Sequence, residues 1–399
     1  MPISRSYSIK LIDILIPMLI ITFDYKKMYL YIRNNKILIY VLLLTSLIFI
    51  SYSWSFYNDT SPNIHKRYSD IGWYFKYYFK YFLFFLFLLI SKVDKQDLSL
   101  LLNIFLLSMF INELISYGIV FELWETEKGN ISNPIPFHKN HITYSTFIGF
   151  TILLSIYKIQ YIKNNYQKLF YLIFLITMSI NLFMSAGRTG QLSLLITLIV
   201  LIFIHFRKDI KKILLSISTI VIVLLISYNT INTFNNRINQ AVTDINNLLF
   251  IKKVDSSFGT RILAIDTIPY LINKNNILLG VGMGNKPTYI SDTIKETYPH
   301  RLINFDNNGM LHNSHVEILI SNGVVGLFLY LSIFYFLFTI KLKDKFIKYI
   351  AQSFSIYLFC FGMSADIFYY KQIMMFMAFF ISIIIIQYEY ERNEIKSIN

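Results

Sequence analysis

The sequence predicts an all-α polytopic integral membrane protein, with about 11–12 transmembrane helices and one large loop on a single side of the membrane. Three observations carry that expectation. Hydrophobic residues fill 55% of the 399 positions and charged residues only 15%, where a soluble chain carries about a quarter charged. Apolar runs recur from end to end, and the mean hydropathy is +0.50. The remaining charges are sorted by position instead of being spread evenly.

A helix needs about 20 apolar residues to cross roughly 30 Å of hydrocarbon. Candidate segments lie near 9–23, 37–55, 73–91, 98–120, 140–158, 168–185, 189–206, 211–228, 315–340, 347–364 and 371–388. The first is short, and it ends in "FDYKK" without a small-residue cleavage site, so it does not read as a signal peptide. The stretches "DYKKMYLYIRNNK" (24–36), "KVDKQD" (92–97), 158–168, "RKDIKK" (207–212), "KLKDKFIK" (341–348) and the tail each carry several Lys or Arg. The positive-inside rule assigns them to the cytoplasm. The loops 56–72, 121–139, 186–188, 229–314 and 365–370 then face the far side. The net charge of +14 resides in these short basic loops, which argues against a nucleic-acid partner and for membrane lipids around the chain. Arg5 and Lys10 suggest a cytoplasmic N-terminus, which an odd number of spans contradicts; a hairpin or a twelfth span would resolve it.

The organisation expected is 1–228 for the N-terminal spans, 229–314 for the large loop, and 315–399 for the C-terminal spans and cytoplasmic tail. Loops this long are functional or disordered. The segments "NTINTFNNRINQAVTDINN" and "IKKVDSSFGTRILAIDTIPYLINKNN" read as short amphipathic helices, which favours function. The single cysteine, Cys360, sits in the apolar "IYLFCFGMS", reads as a buried small hydrophobe, and excludes an intrachain disulfide.

Five features on the far side could carry chemistry. Arg188 occupies the Gly-flanked turn "MSAGRTGQ" between two spans. An arginine at bilayer depth either snorkels to the interface or faces a partner or wet cavity, where its fork suits a phosphate or carboxylate. Arg261 follows Gly259 in "SSFGTRILAIDTI", and Asp366 ends a span in "MSADIFYY", where a turn or local ion pair is the plainer role. "ILLGVGMGNKP" lacks the strand, helix and downstream acid of a dinucleotide loop and reads as a glycine-rich turn holding the loop near the membrane. The fifth, "HNSHVEILISNGVVG", opens a span with His312 and His315 on one helical face. An imidazole titrates near neutrality and suits a general base, though either ring could equally serve as an interfacial hydrogen-bonding group. Neither a phosphate-binding lysine loop nor a D-x-D pair occurs, and the E-x-E pairs at Glu125/Glu127 and Glu389/Glu391 lack nearby ligands, so neither cofactor nor metal is implied.

Taken in order, these features resemble the bacterial O-antigen ligase family within the O-antigen ligase and polymerase superfamily. The pattern is many spans, a long far-side loop with a conspicuous arginine, then G-V-G-x-G-N, then H-N-x-x-x-E…G-x-x-G opening the next span. The resemblance runs roughly from Arg188 to Asp366, and "RINQAVTDINN" ahead of Arg261 also resembles the ligase loop. It implies a GT-C-like glycosyltransferase in the bacterial inner membrane, with its active site and large loop facing the periplasm. The donor would be O-antigen on undecaprenyl pyrophosphate and the acceptor the lipid A-core oligosaccharide, with no metal and no cofactor. His312, Arg188 and Arg261 fall on the family's catalytic positions. Asn313, His315 and Asp366 join the two arginines as expected substrate-binding residues. Two departures stand out: the N-terminal region is one span short of the usual twelve, and His315 is a second histidine the pattern does not require.

The chemistry agrees with the resemblance. Departure of a pyrophosphate builds negative charge, which two arginines would stabilise. One base near the acceptor hydroxyl suffices for a direct displacement, which would invert the anomeric centre. A polysaccharide polymerase using the same donor, and a lipid or polysaccharide transporter with Arg188 and Asp366 as pathway charges, are the alternatives. A transporter predicts charges spread through several spans and internal symmetry; the sequence has a one-sided cluster and no repeat.

Overall fold

The computed structural model describes residues 24–55, 77–126, 129–136, 140–247, 257–273, 277–297 and 311–398. Apart from an isolated bridge between Asn130 and Asn133, all regular structure among them is helical. The chain is an all-α, multi-pass membrane protein. Ten of the eleven apolar segments coincide with helices, and the eleventh, 9–23, lies outside the described residues.

α1 (Tyr25–Asn34) and α2 (Lys36–Ser55) meet at a bend of 99°. A π-helical turn, Phe79–Phe84, leads into α3 (Phe85–Lys92). Then come α4 (Leu98–Val120), α5 (His141–Tyr161), α6 (Asn165–Met184), α7 (Arg188–Phe206) and α8 (Ile210–Thr230). The large loop holds α9 (Asn232–Asn246), α10 (Ser257–Asp266), α11 (Ile268–Asn273) and α12 (Lys286–Thr297). α13 (Ser314–Thr339), α14 (Lys345–Gly362) and α15 (Lys371–Ile398) complete the bundle. Seven of these helices are long and apolar enough to span, or eight with the bent α1–α2 pair. α14 is helical throughout but carries Lys345, Lys348 and Gln352, which dilute its apolar character; the described part of 73–91 is too short to span by itself.

The interior is built around α5 and α15. Residues Thr143–Ser155 of α5 and Ile373–Ile386 of α15 are buried almost without interruption, so these helices are covered by protein on every face. Phe150 centres an aromatic cluster, with ring centroids 5.3 Å from Phe354, 5.4 Å from Phe376 and 4.7 Å from Phe380. At the other extreme, α8 is scarcely covered by protein and exposes Leu214, Leu215, Val221 and Ile222, a lipid-facing composition.

α2 and α13 run antiparallel in a register that can be read rung by rung. The Lys36 ammonium lies 5.4 Å from the Phe336 ring centre, and the Tyr40 and Phe336 rings are 5.1 Å apart. Further along, Leu47 sits over Gly326. α13 is not continuous: Gly323 has φ +65° and breaks it. The loop strand 277–282 closes the gap, Val281 and Gly282 donating to the carbonyls of Ile320 and Ser321, and Val324 and Val325 donating to those of Ile277 and Leu278. Gly280 also has positive φ (+70°), and a Cβ there or at Gly323 would collide with the opposing backbone. The two glycine-rich motifs, 280–284 and 323–326, are therefore two halves of one joint. A small second core, formed by Leu271, Ile290, Ile294, Leu311, Val316 and Ile320, fastens α11 and α12 onto the first turns of α13.

Candidate functional site

Arg188 opens α7 from a turn pressed against α5. Gly187 and Gly190 face Ser145 so closely that any side chain there would strike it. This places Arg188 at the loop end of the bundle, beside α9. Its Nη2 donates to Gln240 Oε1 at 2.9 Å, and its Nη1 lies 3.6 Å from Asp244 Oδ2. Its Nε is buried and finds no hydrogen-bond partner among the described residues. The same Gln240 oxygen accepts from Arg237 Nη1 at 3.1 Å. One carboxamide thus bridges two guanidinium groups.

Asn236, Asn239, Gln240, Thr243 and Asp244 recur at helical spacing, so α9 presents them on one face. They line an open cleft of about 350 Å³. Amides, a hydroxyl and a carboxylate provide both donors and acceptors, the mixture that sugar hydroxyls need.

Arg261, on α10, directs Nε and Nη2 at the Ser364 carbonyl, each 3.4 Å away. Arg188 and Arg261 are electrostatic neighbours. Burial, and then the Arg188 charge, pull the Arg261 guanidinium below its ordinary value, and Arg237 is lowered for the same two reasons. Arg188 thus raises the cost of charge at both Arg261 and Arg237, with the Asp244 carboxylate beside it on α9.

The turn 363–370 ties Arg261 to the start of α13. Ser314 Oγ donates to the Ala365 carbonyl at 2.9 Å and accepts from Ile367 N–H at 2.7 Å. Asn313 caps α13, its Oδ1 accepting from the amides of His315 and Val316. His312 stands immediately before the cap, partly exposed, with φ +51°, a left-handed conformation that costs a non-glycine residue energy. His315, one turn on, turns its ring to Phe359 and Tyr330, with centroids 4.6 and 5.6 Å away. Its Nε2 lies 3.0 Å from the Phe359 carbonyl.

Beneath this surface lies an ion cluster that sequence reasoning missed. Lys286, at the start of α12, is only 2% exposed. Its Nζ donates to Glu317 Oε2 and lies 3.8 Å from Asp366 Oδ2. The other Glu317 oxygen accepts from Leu311 N–H at 3.1 Å, and Asp366 Oδ1 accepts from Phe368 N–H at 2.9 Å. Burial alone would lower the Lys286 ammonium; Glu317 and Asp366 outweigh it and hold it above its ordinary value. Burial, with the Glu317 charge beside it, raises the Asp366 carboxyl. Asp366, singled out in the sequence as a substrate contact, is thus buried in a triad whose partners come from α12 and α13. The sequence does contain a hint: Glu317 is a charge placed among apolar neighbours in a chain with few charges.

Arg188 and Arg261 are drawn together, and His312 is joined to Arg261 through Ser314, Ala365 and Ser364. Arg237, Gln240, Lys286 and Glu317 are the additions that only the fold supplies. No curated protein matches the chain. A family model described as O-antigen ligase matches residues 173–331, the stretch that runs from α6 through Arg188, the α9 cleft, Arg261 and Lys286 to His312 and the broken helix. Over that stretch, the chain is similar to the O-antigen ligase family.

Proposed function

We propose that the protein is an O-antigen ligase of the bacterial inner membrane. It transfers O-antigen polysaccharide from undecaprenyl pyrophosphate to a sugar hydroxyl of lipid A-core on the periplasmic side. The observation that carries this reading is the convergence of Arg188 and Arg261 beside the polar cleft of α9, at the end of the bundle where His312 precedes α13. The arginines would hold the pyrophosphate and stabilise the charge it gains as the glycosidic bond breaks. The cleft would take the first sugars of the donor. His312 would accept the proton of the acceptor hydroxyl as that oxygen attacks from the opposite face, inverting the anomeric centre. The left-handed backbone at His312 supports this role, since strain of this kind persists where surrounding contacts over-determine a conformation. Asn313 would act through its cap, and His315 and Asp366 through packing and the ion triad, supporting the substrate site from behind.

The test is the lipopolysaccharide pattern of a deletion strain carrying the wild-type gene or the His312→Ala, Arg188→Ala or Arg261→Ala variant. Loss of the base alone is expected to slow transfer by about 10²–10⁴-fold, leaving lipid A-core bare while lipid-linked polymer accumulates. Core carrying a single repeat unit would identify a polymerase instead. Normal capping in the His312→Ala strain, with the protein inserted, would overturn the assignment of the base.

A further inference from the structure

The large loop does not remain outside the membrane. We propose that its segment 277–283 re-enters the bilayer, with Ile277, Leu278 and Leu279 covered by lipid acyl chains. Two rulers, one on each helix and both anchored at Lys36, set its depth. On α13, Phe336 is level with the Lys36 ammonium at the basic end of the bundle. Val324, which bonds the Ile277 carbonyl, is 12 residues (336 − 324) above that level, or about 18 Å at the helical rise. On α2, Ser51 accepts the Met283 amide at 3.3 Å. Ser51 is 15 residues (51 − 36) above Lys36, or about 22 Å. Both heights fall short of the roughly 30 Å hydrocarbon thickness, and helix tilt only lowers them.

The chemistry of the segment agrees with that depth. Ile277, Leu278 and Leu279 are 45%, 59% and 40% exposed. Backbone bonds hold Ile277 and Leu278 against Val324 and Val325 of α13, which, like Phe328 on the same membrane-spanning helix, are exposed. Non-helical backbone survives at membrane depth only where protein satisfies its polar groups. The break at Gly323 meets that condition, since the amides of Val281, Gly282, Val324 and Val325 all find carbonyls across the joint. A loop resting in water would expose these three consecutive large aliphatic residues at a hydrophobic cost of about 25 cal/mol per Å². The dip also fixes the height of Lys286, three residues beyond Met283, and through Glu317 that of the His312 segment.

Site-directed spin labelling in liposomes tests this without reference to activity. With Cys360 replaced by Ser, Ile277→Cys and Leu278→Cys are labelled in turn. Val221→Cys on lipid-facing α8 and Lys295→Cys on the exposed side of α12 serve as references. The expected result is high accessibility to oxygen and loss of accessibility to a water-soluble nickel chelate, matching Val221. Nickel accessibility at Ile277 and Leu278 equal to that at Lys295 would overturn the proposal. Should a label disturb the joint, the unlabelled thiols can be titrated with a membrane-impermeant maleimide. Modification as fast as at Lys295 would again refute re-entry, and protection to the level of Val221 would support it.

Discussion

Two charged regions lie at the same end of this bundle and are built on opposite principles. Around α9, Arg188 and Arg237 share Gln240 beside a polar cleft, with Arg261 an electrostatic neighbour of Arg188. Around Lys286, one cation is sealed between two carboxylates with its surroundings nearly closed to solvent. In the first region the guanidinium groups stand beside an open cleft, with Asp244 next to Arg188; in the second, one ammonium is held between two buried carboxyl groups of the protein. A cluster of guanidinium groups beside an open polar cleft suits an anion that arrives from outside. A matched, buried cluster is organised to hold the protein itself together. The comparison leads us to propose anion binding for the arginines and positioning for the triad.

The sharpest way to break that comparison is to unbalance the buried side. Lys286→Met leaves two carboxylates without their cation, and removing one partner of a buried ion pair costs about 3–5 kcal/mol. We expect the thermal unfolding midpoint of the purified protein to fall steeply. Lys286→Arg, which keeps the charge, should lose less, and Lys286→Met combined with Glu317→Gln and Asp366→Asn should recover much of the loss. Wild-type unfolding of the single variant would mean that the triad does not hold the 363–370 turn and α12 to α13.

A smaller effect should appear with pH. The Asp366 carboxyl is raised to about 7, so the folded protein binds this proton more tightly than the unfolded chain does. Linkage then makes stability highest below the ordinary aspartate value. It declines as pH rises through the window up to about 7 and is flat beyond it. Asp366→Asn should remove that slope. Unfolding midpoints measured in detergent between about pH 5 and pH 8 check the sign; stability rising over this window would contradict the burial argument.

How much of this was legible beforehand depends on whether a feature is local. Membrane spans are local: 20 consecutive apolar residues suffice, and ten candidate segments coincide with helices. Arg188, Arg261 and His312 could be singled out by type and position, because a far-side charge beside an apolar run is conspicuous in one dimension. Their partnerships could not. Lys286 and Glu317 are 31 residues apart, and neither shares a helix with the other. Gly280 lay in a motif read as a turn near the membrane and Gly323 in one opening a span, with nothing to pair them, although each admits the backbone beside the other. Arg237 lay inside a quoted amphipathic stretch, but nothing in the sequence aligns it with Arg188. The break in α13 was hidden too, since a glycine inside an apolar run reads equally well as unbroken helix.

The mildest expected effect tests the open side of the comparison. Arg237 reaches the cleft through Gln240, the same amide that Arg188 uses. If the arginine excess serves the donor's pyrophosphate, Arg237→Ala should weaken donor binding by about the value of one charge-assisted hydrogen bond, roughly tenfold. The turnover at saturating donor should stay close to wild type, because Arg188 and Arg261 remain beside the reacting bond. Arg237→Lys should recover part of the loss, since charge persists where the planar fork does not. The measurement is transfer in membrane vesicles across a range of lipid-linked donor concentrations. A fall in maximal turnover with unchanged donor dependence would instead move Arg237 from the binding of the ground state to the stabilisation of the transition state. No effect on either would confine the anion site to two arginines and leave Gln240 as a brace for Arg188.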